Sequence, residues 1–103
     1  MMLDPYETIY IIKPNITEKE TTKTINTYRK FLQKNGAHNI LVQNRGRRHL
    51  SYSIKNYYDG IYVQMNYDGN AYLMTLLEKF IRFDANIFRH INLKQHQNST
   101  RKD

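Results

Sequence analysis

Between Ile40 and Ile54 the apolar residues keep a single phase across an interruption of charge. Ile40 and Val42 precede the run Gln43-Asn44-Arg45-Gly46-Arg47-Arg48-His49, and Leu50, Tyr52 and Ile54 follow it, all on even-numbered positions. A period of two marks a strand with one face against a core. A phase kept on both sides of the charged run implies one long strand, interrupted near Gly46, and not two strands that agree by chance. The same extended segment therefore anchors itself in a core and presents a basic cluster, which is a binding arrangement.

The flanking sequence supplies the other elements. Tyr6 to Ile12 is rich in β-branched and aromatic residues and stops before Pro14, so it reads as a strand, central because both faces are apolar. Thr17-Glu18-Lys19-Glu20 matches a capping box. Ile25, Tyr28, Phe31 and Leu32 then follow the helical period, and Asn35-Gly36 supplies a left-handed stop, which predicts a helix from about Glu18 to Lys34. Asp59-Gly60 is a turn signal, after which Ile61, Val63, Met65 and Tyr67 alternate as a hairpin partner of the long strand. Beyond Asp68-Gly69-Asn70, a buried stripe of Leu73, Leu76, Leu77 and Phe80 predicts a second helix ending near Arg82. Ile87, Ile91 and Leu93 mark a last strand, with Phe88, His90 and Asn92 on its other face.

The order β-α-β-β-α-β predicts an α+β, ferredoxin-like fold, a four-stranded antiparallel sheet with two helices on one face. One domain over 1–94 is expected, followed by a polar tail, 95–103, with no apolar residue to order it. The uncovered sheet face is expected to carry Tyr62, Gln64 and Asn66 together with Phe88, His90 and Asn92.

Sixteen Lys and Arg against nine Asp and Glu give a formal charge of +7, which favours a polyanionic partner. No apolar run approaches the ~18 residues of a membrane span, and no leader precedes the first strand, so neither a membrane nor processing is expected. Without cysteine there are no disulfides, thiolate metal sites or cysteine nucleophiles. His38, His49, His90 and His96 are too scattered for a metal-ligand pair, and no nucleophile elbow or phosphate cradle is present, so neither cofactor nor catalysis is expected.

Three arginines within four positions exceed what a charged edge strand needs to resist aggregation. Their guanidinium forks suit phosphates, and Gly46 removes a side chain where backbone bulges or approaches a ligand. Strict alternation puts Arg45, Arg47 and His49 on the open face and Arg48 toward the helices, so a bulge at Gly46 is needed to bring all four out. Tyr62 and Phe88 have the chemistry to stack bases, yet the strand after Gly60 lacks the aromatic signature of RNA-recognition sheets. With Gln64 and His90 they are expected to form a protein-contact surface instead.

The chain resembles the bacterial-type small-subunit ribosomal protein six family. The resemblance is carried by Tyr6-Glu7-Thr8 with Lys13-Pro14, by Asn35-Gly36-Ala37 and by Gly46-Arg47-Arg48-His49-Leu50-Ser51-Tyr52-Ser53-Ile54-Lys55. Asp59-Gly60-Ile61-Tyr62-Val63-Gln64-Met65-Asn66-Tyr67, Leu77-Glu78, Arg82 and Arg89 extend it over almost the whole chain. It implies a structural ribosomal protein that joins the central (platform) domain of the small-subunit ribosomal RNA together with ribosomal protein eighteen, beside other small-subunit proteins. By position it implies RNA contacts for Arg45, Arg47, Arg48, His49 and Arg89. His49 stands where an arginine is frequent in the family, and the tail is short. The chain looks most like plastid and cyanobacterial members, which implies a plastid ribosome first and a bacterial cytoplasm second. The rival readings are a free RNA-recognition or translation-repressor module of the same topology, and a small ferredoxin-like enzyme or ligand sensor with a small-molecule pocket.

Overall fold

A computed structural model describes residues 3–95. Its elements are β1 (Asp4–Ile12), α1 (Glu18–Lys34), β2 (His38–Ile54), β3 (Tyr57–Gly69), α2 (Ala71–Arg82) and β4 (Ile87–Lys94). The strands form one antiparallel sheet in the order β2-β3-β1-β4. This is the split β-α-β arrangement that the element order predicts. Of the polar tail, Gln95 extends the ladder through a 2.8 Å bond from its N–H to the Pro5 carbonyl. Residues 96–103, with His96, lie outside the described residues.

The core lies between the helices and one sheet face, where Tyr6, Tyr10, Ile12, Val63, Met65 and Tyr67 meet Tyr28, Leu32, Leu73, Leu77 and Ile81. Helix α1 has the bounds its spacing predicts. The Thr17 hydroxyl accepts from the Glu20 N–H at 3.1 Å, and the Glu20 carboxylate accepts from the Thr17 N–H at 3.0 Å. Thr21 and Thr24 are buried beside Tyr28 and Leu32, because each hydroxyl donates to a carbonyl one turn back. In α2 the buried line runs Leu73, Leu77, Ile81, and Phe80 is 41% exposed. The helix is turned from the expected stripe because Phe80 faces α1, stacking on Phe31 at 4.5 Å and meeting Tyr28 edge-on.

The turn of the hairpin lies elsewhere than Asp59-Gly60 predicts. The β2–β3 connection is Lys55-Asn56, both with positive φ (50° and 69°), between the paired Ile54 and Tyr57. Asp59-Gly60 lies inside β3, opposite His49 and Arg48. Gly60 is there because a Cβ would run into the Ile11 side chain, and not because a turn needs it.

The register also fixes the faces, since residues directly opposite across a ladder share a side. Tyr62 and Gln64 oppose Ile11 and Ile9 and lie on the open face as expected. His90 and Asn92 oppose Tyr10 and Thr8, so both lie on the helix side, where the Thr8 hydroxyl donates to Asn92 Oδ1 at 2.8 Å. The open face receives Arg89, Ile91 and Leu93 instead. A register shift between Ile11 and Ile12 leaves Phe88 without a ladder partner, and its ring tilts against Tyr57 at 5.3 Å. The expected grouping of Phe88 and His90 with Tyr62 and Gln64 is thus broken: β4 carries Ile91 and Leu93, which resemble core residues, on its uncovered side.

Candidate nucleic-acid interface

Strand β2 owes its shape to a bulge. Gln43 opposes Gln64 and Asn44 opposes Val63, but the next pair is Gly46 with Tyr62, leaving Arg45 as the extra residue. Gly46 has φ +87°, a conformation that side chains resist, and its N–H donates to Asn44 Oδ1 at 2.8 Å. Adding one residue to a period of two exchanges the faces for everything downstream. Arg48 therefore opposes Gly60 on the open face, and Arg47 opposes Ile61 on the helix side.

The bulge divides the basic cluster instead of bringing all of it out. On the open face, Arg45 donates from Nε (3.1 Å) and Nη2 (2.9 Å) to Gln64 Oε1, and Gln64 passes its own N–H on to Asn66 Oδ1. The Arg48 guanidinium lies 5.7 Å from the centre of the Tyr62 ring. Arg89 donates to the Tyr52 hydroxyl and lies 5.0 Å from that ring. Each of these three arginines rests on a neutral amide or ring, which orients the guanidinium and leaves its charge uncancelled.

Arg47 and His49 are held differently. Asp59 takes Arg47 Nη1 at 3.5 Å on one oxygen and His49 Nδ1 at 2.9 Å on the other. Arg47 Nη2 also donates to the Pro14 carbonyl at 3.2 Å, tying the strand to the loop before α1. The two residues are clamped at the sheet edge, on the opposite side from Arg45 and Arg48.

The exchanged phase also moves residues that alternation had placed in the core. Leu50 is buried on the open side, beside Ile11 and over Gly60. Tyr52, expected under the helices, is 59% exposed. Ile9, Ile11, Tyr62, Arg89 and Ile91 line a shallow open-face groove that His90 also borders, and Leu93 is exposed on the same side of β4. Ile91 and Leu93 belong to this surface although their alternation predicts core; the signal that separates the two is the register, which a single sequence does not carry. Among the described residues no three potential metal ligands come together.

A family model described as Ribosomal protein S6 matches residues 5–94. The chain is 51% identical over 98 residues to small ribosomal subunit protein bS6c of Pyropia yezoensis, covering 95% of this chain and 90% of the relative. It is 53% identical over 97 residues to bS6c of Porphyra purpurea, covering 94% and 87%. Against bS6 of Trichormus variabilis the identity is 39% over 98 residues, covering 95% and 91%. The crystal structure of 30S ribosomal protein S6 from Thermotoga maritima superposes with a TM-score of 0.85 at 25% identity, covering 90% of this chain and 88% of that one. With the split sheet, the bulged basic strand and these matches along nearly its whole length, the chain belongs to the ribosomal protein S6 family.

Proposed function

We propose that the chain binds the central (platform) domain of the small-subunit ribosomal RNA together with ribosomal protein eighteen, its open sheet face shared between the two. Family membership makes it a structural protein of the small ribosomal subunit and not an enzyme, and its bS6c relatives put it on the plastid ribosome. The observation that carries the finer reading is the open face itself. Arg45, Arg48 and Arg89 lie there on neutral partners with their charge free for phosphate, beside an exposed apolar strip of Ile91 and Leu93.

In this reading Arg45, Arg48 and Arg89 make the phosphate contacts. Arg47 and His49 hold the basic strand against Asp59 and Pro14 and turn their remaining donors to RNA at the sheet edge. Tyr62 and Gln64, with Ile91, face the protein partner, while Phe88 and His90 contribute from the strand end and the helix side only indirectly.

The test is binding of platform RNA, with and without ribosomal protein eighteen, across a salt series. Arg45→Ala with Arg48→Ala should weaken binding and lower the salt slope by roughly one unit per lost contact, with the fold intact. Ile91→Gln, which adds no charge beside Arg89, should weaken the dependence on ribosomal protein eighteen while leaving the salt slope of the isolated chain alone. Unchanged RNA binding by the double arginine variant would sink the proposal.

A further inference from the structure

The uncancelled charge of this chain is not confined to β2. From Thr21 to Tyr58 there is no Asp or Glu at all. In α1, Lys19, Lys23, Lys30 and Lys34 are exposed and form no ion pair with a described residue. At 100° per residue the four lie within a strip about 60° wide on the side of the helix away from the sheet, about 22 Å long. An ordinary solvated helix face mixes signs, since Glu and Lys one turn apart stabilise it and like charges do not. Here Lys19 faces Lys23 and Lys30 faces Lys34, and the one acid among them, Glu20, lies off the strip with its carboxylate turned back to the Thr17 N–H.

A second feature borders that strip. Phe83, just past α2, is 83% exposed, and Phe80 is exposed beside it with its ring flat on Phe31. Thr27 belongs to both neighbourhoods, lying next to Lys23 and Lys30 on one side and to Phe80 and Phe83 on the other, where Asp84 also lines the hollow and accepts from the Tyr28 hydroxyl. Cations in a row and exposed rings therefore form one continuous surface on the helical layer, on the far side of the molecule from Arg45, Arg48 and Arg89.

We propose that this helical face is a second RNA-binding surface that takes an unpaired segment, its phosphates along the α1 lysines and its bases against Phe83 and Phe80. Lysines one turn apart, about 5–6 Å, suit successive phosphates of an extended strand. Aromatic rings stack any base, so the surface needs no sequence-reading groups. An amphipathic acidic peptide would match the charge too, but it needs an apolar groove along its whole length. The apolar part here is confined to one end and is aromatic. The proposal goes beyond the open-face reading and does not depend on it.

The experiment starts from the Arg45→Ala/Arg48→Ala/Arg89→Ala chain, which removes the open-face arginines, and titrates it with an oligouridine of about twelve nucleotides, within the span such surfaces cover. Retained binding is expected. Adding Lys19→Gln, Lys23→Gln and Lys30→Gln should lower the salt slope by about 2, at roughly 0.7 per single-strand contact. Phe83→Ser should weaken binding about tenfold with the slope unchanged, as loss of one stacked base does. Photo-crosslinking of bromouridine-substituted oligomer to the unsubstituted full chain should label Phe83 and Phe80, which needs no variant to fold. Absent binding in the starting chain, an unchanged slope in the lysine variant, crosslinks confined to Tyr52 and Tyr62, or capture of an acidic peptide but not the oligouridine would each overturn the proposal.

Discussion

At the scale of single residues, Gly46 decides which arginines can face the same partner. Its φ of +87° admits the extra residue Arg45, and nothing lies within 4 Å of where a Cβ would be. Gly46→Ala should therefore cost backbone strain alone, about 1–2 kcal/mol, read as a lower urea midpoint at unchanged slope. The same variant should weaken RNA binding, because relief of the strain by removing the bulge would send Arg48 to the helix side. A variant as stable as the parent would show that the glycine's conformation is not needed. The presence of a basic cluster was legible in the residues, and so was the need for a bulge at Gly46. Its consequence was not: alternation alone cannot show that Asp59, on the next strand, would keep Arg47 and His49 on one side while Arg45 and Arg48 went to the other.

Among the elements, α1 was the most legible because its determinants are local. The capping box, the apolar period and Asn35-Gly36 lie within the helix or next to it, and they fix its bounds whatever packs on top. The hairpin was less so. Asp59-Gly60 is a strong local turn signal, yet Gly60 serves a close approach to Ile11, a contact with a strand far away in sequence. The real turn uses Lys55 and Asn56 at positive φ, where lysine is strained. Lys55→Asn with Asn56→Gly supplies the pair this two-residue loop prefers and should stabilise the chain by about 1 kcal/mol. Thermal unfolding measures it, and a lowered midpoint would show that the loop is not of that type.

Over the whole molecule, the core is built around tyrosines whose hydroxyls are hidden from water. Burial pushes Tyr67 up to about 12, although the Thr8 hydroxyl bonded to it at 2.7 Å acts the other way. Burial also raises Tyr28 and Tyr10, and Asp84, which accepts from the Tyr28 hydroxyl at 2.5 Å, adds to both shifts. In the unfolded chain these groups ionise near 10. Between about 10 and 12 the unfolded state has therefore lost protons that the folded state keeps, and stability falls as pH rises. It should be level with respect to these groups below pH ~10 and decline steadily above it. Urea midpoints from pH 8 to 11.5 measure this, and Tyr67→Phe should make the decline shallower. A midpoint that holds steady to pH 11.5 would contradict the burial of these hydroxyls. By itself the sequence determined the number, kind and order of the elements, and with them the split sheet, because period, caps and chain connectivity are carried by neighbouring residues. Only the tertiary structure decided which face each functional side chain occupies. One extra residue at Arg45 and one register shift beside Ile12 exchange the two sides of a strand, and those shifts are set by pairing between strands distant in the chain.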